Sequence, residues 1–117
     1  MTIENMVTLL DLQILAGEQH LGEKITGGYC SDLLSDVIGN SKEGQVWITM
    51  QIHKNIIAVA SLKDLAAIIV VNGGKPVKET LEMADKEGVP VLRTTAPAFE
   101  IAGKLFQLLT KNESIQG

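Results

Sequence analysis

Aromatic side chains are nearly missing from this 117-residue chain: one Trp, one Tyr and two Phe make up 3% of it. The core must therefore be built from Ile, Val, Leu, Ala and Met, which suits sheets and helices packed through aliphatic faces. Cysteine is as scarce. The single Cys30 excludes an intramolecular disulfide and a Cys-rich zinc site, and it fits a reducing, cytoplasmic setting. Lys and Arg form no cluster, and a formal net charge of −4 argues against nucleic acid as a partner, since such binders carry a basic stripe. No apolar run approaches the roughly 20 residues of a membrane span. Met1 to Leu15 has no basic n-region and contains Glu4 and Asp11, so it does not read as a signal peptide. A soluble cytoplasmic protein without a membrane partner is the expectation.

What is present is ordinary for a globular domain: 45% hydrophobic and 21% charged residues. One domain is expected over residues 1–111, followed by a flexible tail over 112–117. The most telling stretch runs from Ala66 to Thr94. Ala66 to Val71 is unbroken and rich in β-branched residues, as a strand covered on both faces should be. Asn72-Gly73-Gly74 breaks it, and Pro76 suits the first turn of a helix. Val77, Leu81 and Ala84 recur at helical spacing, Gly88 offers a left-handed cap, and Val89 to Leu92 reads as the next strand. Such a β-α-β unit implies parallel strands joined by a right-handed crossover.

The flanks extend the same pattern. Thr2 reads as an N-cap, though Asn5 stands where a capping box has Glu, and Ile3, Met6, Val7 and Leu10 mark a short helix. Leu12–Leu15, Ile25–Ser31 and Gln45–Thr49 read as strands, with Gly27-Gly28 signalling a bulge or a close backbone approach. Asp32–Ile38 reads as a helix capped by Ser31 or Asp32, and Ile52–Leu62 as a helix covered on most sides. Ala98–Thr110 forms the last helix, with Phe99, Ala102, Phe106 and Leu109 on a core-facing stripe. The fold expected is α/β, three layers, α/β/α, around a mostly parallel sheet of about five strands.

The blocks IIVVNGGKPVKETLEMADKEGVPVLRT and PAFEIAGKLFQLL, with LQILAGEQHLGEKITGGYCSDLLSDV before them, resemble the DRTGG domain family. They are also similar to the non-catalytic N-terminal domain of HPr kinase/phosphorylase. The resemblance runs from about Thr2 to Leu109 and implies a regulatory role, often with self-association, beside catalytic or sensor domains. It does not imply kinase chemistry. No G-x-x-x-x-G-K-[ST] loop is present, because Gly73-Gly74-Lys75 lacks the first Gly at the required spacing and the following Ser/Thr.

Ligands of open α/β sheets bind where strands end and helices begin. Three loops have that position here. Thr49, Gln51, His53 and Asn55 alternate after the QVWIT strand, where helix N–H groups can hold an anion. Asn72, Gly73, Gly74 and Lys75 combine permissive backbone with a cation for a phosphate. Ser31 and Asp32 border the same crevice. Helix caps and plain turns use the same residue types. His20 and His53 have no carboxylate or Cys at ligand spacing, so no metal is expected, and no cofactor. Cys30 reads as a small hydrophobe on a buried strand, and Arg93 as either an anion contact or a solvated edge residue.

The sequence thus points to a non-catalytic regulatory module. It is expected to bind a small anionic ligand, a nucleotide or phosphorylated metabolite, or else a partner protein, and to act as a homodimer. Self-association follows from the resemblance and from the apolar segment Ile56–Leu62. The alternatives are a structural adaptor docking on a redox, hydrogenase or carbon-metabolism complex, and a small phosphotransfer enzyme using His53.

Overall fold

Aliphatic segments too apolar to face water on either side become the centre of the molecule. The structure, a computed structural model, describes residues 1–116, with side chains described through residue 111. In chain order the elements are α1 (Ile3–Leu10), β1 (Gln13–Ala16), a 3-10 turn (Glu18–His20), β2 (Gly27–Cys30), α2 (Leu34–Asn40), β3 (Gln45–Thr49), α3 (Asn55–Leu62), β4 (Ala67–Val70), α4 (Lys78–Glu87), β5 (Val91–Arg93) and α5 (Ala98–Gln116). The five strands form one sheet in the order β1-β5-β4-β3-β2. Neighbours from β2 to β5 run parallel, and β1 closes the far side antiparallel to β5. The expected tail, residues 112–117, lies outside the residues whose side chains are described.

Period-two alternation sorts the strand side chains onto two faces. Val46, Ile48, Ile69 and Leu92 pack under α1 and α5, against Ile3, Met6, Ile101 and Leu105. Trp47, Ile68, Val70 and Val91 point the other way, into α2, α3 and α4 through Val37, Ile56, Ile57 and Ala84. Every one of these side chains is buried. Each fully buried aliphatic group of this kind is worth about 1.5–3 kcal/mol relative to exposure. Trp47 is the largest of them, and its indole Nε1 donates to the Ser31 carbonyl at 2.8 Å.

Several local expectations are corrected. The capping box, expected to be imperfect with Asn5 in place of Glu, is complete: Asn5 Oδ1 accepts from the Thr2 N–H at 3.0 Å, and the Asn5 N–H donates to Thr2 Oγ1 at 3.1 Å. α2 begins two residues later than Asp32, with Leu33 at the cap position and no side-chain cap. α3 begins at Asn55 rather than Ile52. The cause is tertiary: the Ile52 carbonyl accepts from Thr80 Oγ1 at 2.8 Å and from the Val77 N–H at 3.2 Å, which holds that residue out of the helix. α4 starts at Lys78 with Val77 as its cap, so Pro76 stands just outside rather than in the first turn. Gly88, with φ of 72°, does end it.

The last helix is rotated from the expected stripe: Ala102 and Leu109 do pack, half-buried, against the core, but the two Phe do not. Ile101 and Leu105 fill the core, while Phe99 and Phe106 are 92% and 70% exposed. Ile56, Ile57, Val59 and Ala60, offered above as a reason for self-association, are buried within the same chain. Cys30 is exposed, because β2 is an edge strand rather than an interior one. At Gly28 an added Cβ would lie 3.2 Å from Leu105 Cδ2, and the β2–β3 register is unbroken. Close approach of α5, not a bulge, accounts for that glycine.

Candidate functional site

Because β2, β3, β4 and β5 are parallel, the loops after them emerge side by side along one edge of the sheet. At the β2–β3 end Asp32 leaves the cap position it was expected to fill and reaches sideways. Its Oδ1 accepts from Thr49 Oγ1 at 2.8 Å and from the Met50 N–H at 2.7 Å. Gln51 replies, donating from Nε2 to the Asp32 carbonyl at 2.8 Å, and its N–H donates to Thr49 Oγ1 at 3.1 Å. Ser31 Oγ accepts from the Leu33 N–H at 3.2 Å. Asp32, Thr49 and Gln51 are therefore one hydrogen-bonded knot with Ser31 beside it, bonded to Leu33 instead, and Asn72 reaches the knot through Nδ2 against Met50 Sδ at 3.0 Å.

The β4–α4 loop is a second unit. Asn72 and Gly73 both take left-handed backbone, with φ of 58° and 68°. Their N–H groups donate to Ala96 and Thr94 carbonyls, and the Gly74 N–H to Val71 O. With those amides engaged internally, the loop is not a backbone cradle for a phosphate. Its carbonyls are engaged as well, by Arg93. The guanidinium Nε donates to Gly74 O and one Nη to Gly73 O, each at 2.9 Å, and the other Nη reaches Gln13 Oε1 on β1 at 3.3 Å.

Lys75 belongs with Arg93 rather than with the knot. Both line a concavity of about 250 Å³ together with Gln13, Leu15, Pro76 and Leu81. Its walls are apolar, from Leu15, Pro76 and Leu81, and two cations stand at its rim. Three guanidinium donors are already used, so the remaining N–H groups of Arg93 are the ones open to a guest. Among the described residues Lys75 makes no ion pair. His53 and Asn55, the other two predicted residues, stand exposed at the start of α3 and are not among the residues lining that concavity. Neither Thr49 nor Asn55 caps that helix. Arg93 is the residue whose part the sequence left undecided, since nothing local tells a solvated Arg from one braced by two carbonyls.

A larger concavity, about 630 Å³, opens at the opposite edge, where the parallel strands begin. Glu23, Glu43, Asp64 and Glu87 border it against Lys24 and His20, so its field disfavours anions despite its size. Charge and position favour the smaller groove. Among the described residues no group of three or more His, Cys, Asp or Glu is placed to hold a metal ion, and no helix is long and apolar enough to cross a membrane.

Titration follows the hydrogen bonds. Asp36 accepts from Ser31, Tyr29 and Asn40, which holds its carboxyl below the usual range, and the Tyr29 phenol is raised chiefly by that same bond to Asp36. Partial burial, then the Asp32 charge, pushes the Cys30 thiol up.

Against known families, the model of the DRTGG domain matches residues 5–108. The chain belongs to the DRTGG domain family. Among curated proteins none matches it. Among solved structures it is similar to the CBS and DRTGG domains of the regulatory region of Clostridium perfringens pyrophosphatase, complexed with the activator diadenosine tetraphosphate. That likeness has a TM-score of 0.65 at 21% identity, covering 89% of this DRTGG chain and 45% of the other. The chain thus spans about half the length of that relative, and at this identity the likeness carries the fold alone.

Proposed function

We propose that this DRTGG domain is a non-catalytic regulatory module that binds a small anionic ligand and acts as a homodimer. The observation that carries the ligand reading is the groove in which Lys75 and Arg93 flank the apolar walls of Leu15, Pro76 and Leu81. A phosphorylated metabolite or nucleotide fits that chemistry: the phosphate meets the two cations and the less polar part lies on the aliphatic wall. The relative's activator, a dinucleotide polyphosphate, is of the same chemical class. The likeness to the N-terminal domain of HPr kinase/phosphorylase belongs to this reading as well, as regulation without kinase chemistry.

A thermal-melt screen of nucleotides and phosphorylated metabolites at millimolar concentration tests it. A ligand at about a hundred times its Kd stabilises by roughly 2.7 kcal/mol, a shift of several degrees for a domain of this size. Lys75→Ala is expected to remove the shift and His53→Gln to leave it. A shift that survives Lys75→Ala would move the site elsewhere.

A second reading, an adaptor docking on an enzyme complex, draws on Leu33 and Met50, which stand 64% and 51% exposed beside the Asp32–Thr49 knot. A ligand-free protein that nevertheless binds a partner through that corner, losing the complex on Met50→Lys, would favour it. For the phosphotransfer alternative the support is thinner: among the described residues no hydrogen bond or ion pair orients the His53 imidazole toward a reacting group.

A further inference from the structure

The chain has two phenylalanines, and both stand in water. They lie seven residues apart on α5, hence on one side of it, opposite the buried Ile101 and Leu105. Between them is Gly103, where an added Cβ would meet nothing within 4 Å. Phe99, Gly103 and Phe106 therefore form an uncharged stripe, two rings with a gap between them. One flank of that stripe holds Glu100 and Lys104, joined to each other at 3.2 Å. Exposed aromatic pairs of this kind mark contact surfaces rather than idle surface.

We infer that this stripe is the seam of a two-fold dimer in which α5 packs antiparallel against α5 of a second copy. The inference deepens the homodimer reading above and rests on it. Three features point to a second copy rather than to a foreign protein. First, the pattern is its own complement. Antiparallel packing sets Phe99 of one copy opposite Phe106 of the other, and the two Gly103 residues then fall beside the axis, where the missing side chains let the helices approach.

Second, the charges match only in that sense. With Phe99 and Phe106 paired, Glu100 of each copy comes beside Lys104 of the other, on the same flank, twice over. Third, the size is right for a weak closed pair. Four largely exposed phenyl groups, each able to bury on the order of 150–250 Å², bring the contact close to the lower limit of about 1,000–1,200 Å² for a specific interface. The pairing is therefore concentration-dependent, not obligate.

Sedimentation velocity on the full chain, from low to high micromolar concentration, tests the seam. Wild type is expected to shift from monomer to dimer across that range. The double variant Phe99→Ser/Phe106→Ser should stay monomeric with unchanged circular dichroism and melting temperature, since neither ring contributes to the core. Glu100→Lys alone should weaken the dimer, and Glu100→Lys/Lys104→Glu should restore it. A strict monomer at high micromolar wild type, or a dimer that the double Phe variant retains, overturns the inference. The melt shift with phosphorylated ligands should persist in the monomeric variant, because Leu15 and Leu81 lie with the α4 face of the sheet and α5 on the other. The ligand reading and the seam thus fail separately.

Discussion

Cys30 and Asp32 stand two residues apart where β2 ends, and each alters what the other can do. The thiol is exposed, yet partial burial and then the Asp32 carboxylate both disfavour its thiolate. Only the thiolate attacks an electrophile, so exposure and reactivity part company at this position. Iodoacetamide at neutral pH is expected to alkylate Cys30 more slowly than it alkylates a free thiol of ordinary pKa. Asp32→Asn should speed the reaction, because an amide still accepts from Thr49 while the charge is gone. A wild-type rate equal to that of a small free thiol would refute this account. Asp32 itself works as a cross-link between the β2 and β3 loops, and its carboxylate leaves that corner with no surplus of positive charge.

Two glycines separate conformational cost from steric cost. Gly17 and Gly88 both hold left-handed backbone, with φ of 73° and 72°. An added Cβ at Gly17 would lie 2.5 Å from Val89 O and 2.6 Å from Pro90 backbone atoms, which cannot move without shifting β5. At Gly88 the obstacle is the His20 ring, 2.6 Å away, on a half-exposed side chain that can swing aside. Gly88→Ala should cost about 1–2 kcal/mol, the left-handed penalty alone, and Gly17→Ala clearly more. Chemical denaturation of the two variants checks the ranking, and equal losses would contradict it.

The elements themselves were largely legible because strand and helix periods are local signals. The β-α-β unit from Ala66 to Leu92, the QVWIT strand and the Gly88 stop all stand where the pattern put them. Starts of helices were less legible. Ile52 is held out of the helix by Thr80, and Asp32 is drawn off by Thr49, both partners distant in sequence. α5 was misread for another reason. Its aliphatic and aromatic residues surround the helix, and hydrophobicity alone does not say which side meets the sheet.

At the scale of the molecule, the two ends of the sheet edge have different characters. One end, after β2 and β3, is knotted by uncharged donors around a carboxylate; the other, after β4 and β5, carries Lys75 and a braced Arg93 over an aliphatic wall. Which end answers to a ligand was the part of the site that the sequence could not order, because side-by-side placement of the loops depends on strand order. Trp47 supplies a means of telling them apart. Its indole is sealed from solvent and tethered to the carbonyl of Ser31, one residue before Asp32. The protein therefore carries a single tryptophan, wired to one end of the edge and outside the lining of the Lys75–Arg93 groove. A guest in the Lys75–Arg93 groove should raise the melting temperature while leaving the emission spectrum unchanged. One that prises open the Asp32 knot should alter the colour or yield of that emission in the same cuvette, and a spectral change accompanying every ligand-induced melt shift would place the guest at the knot.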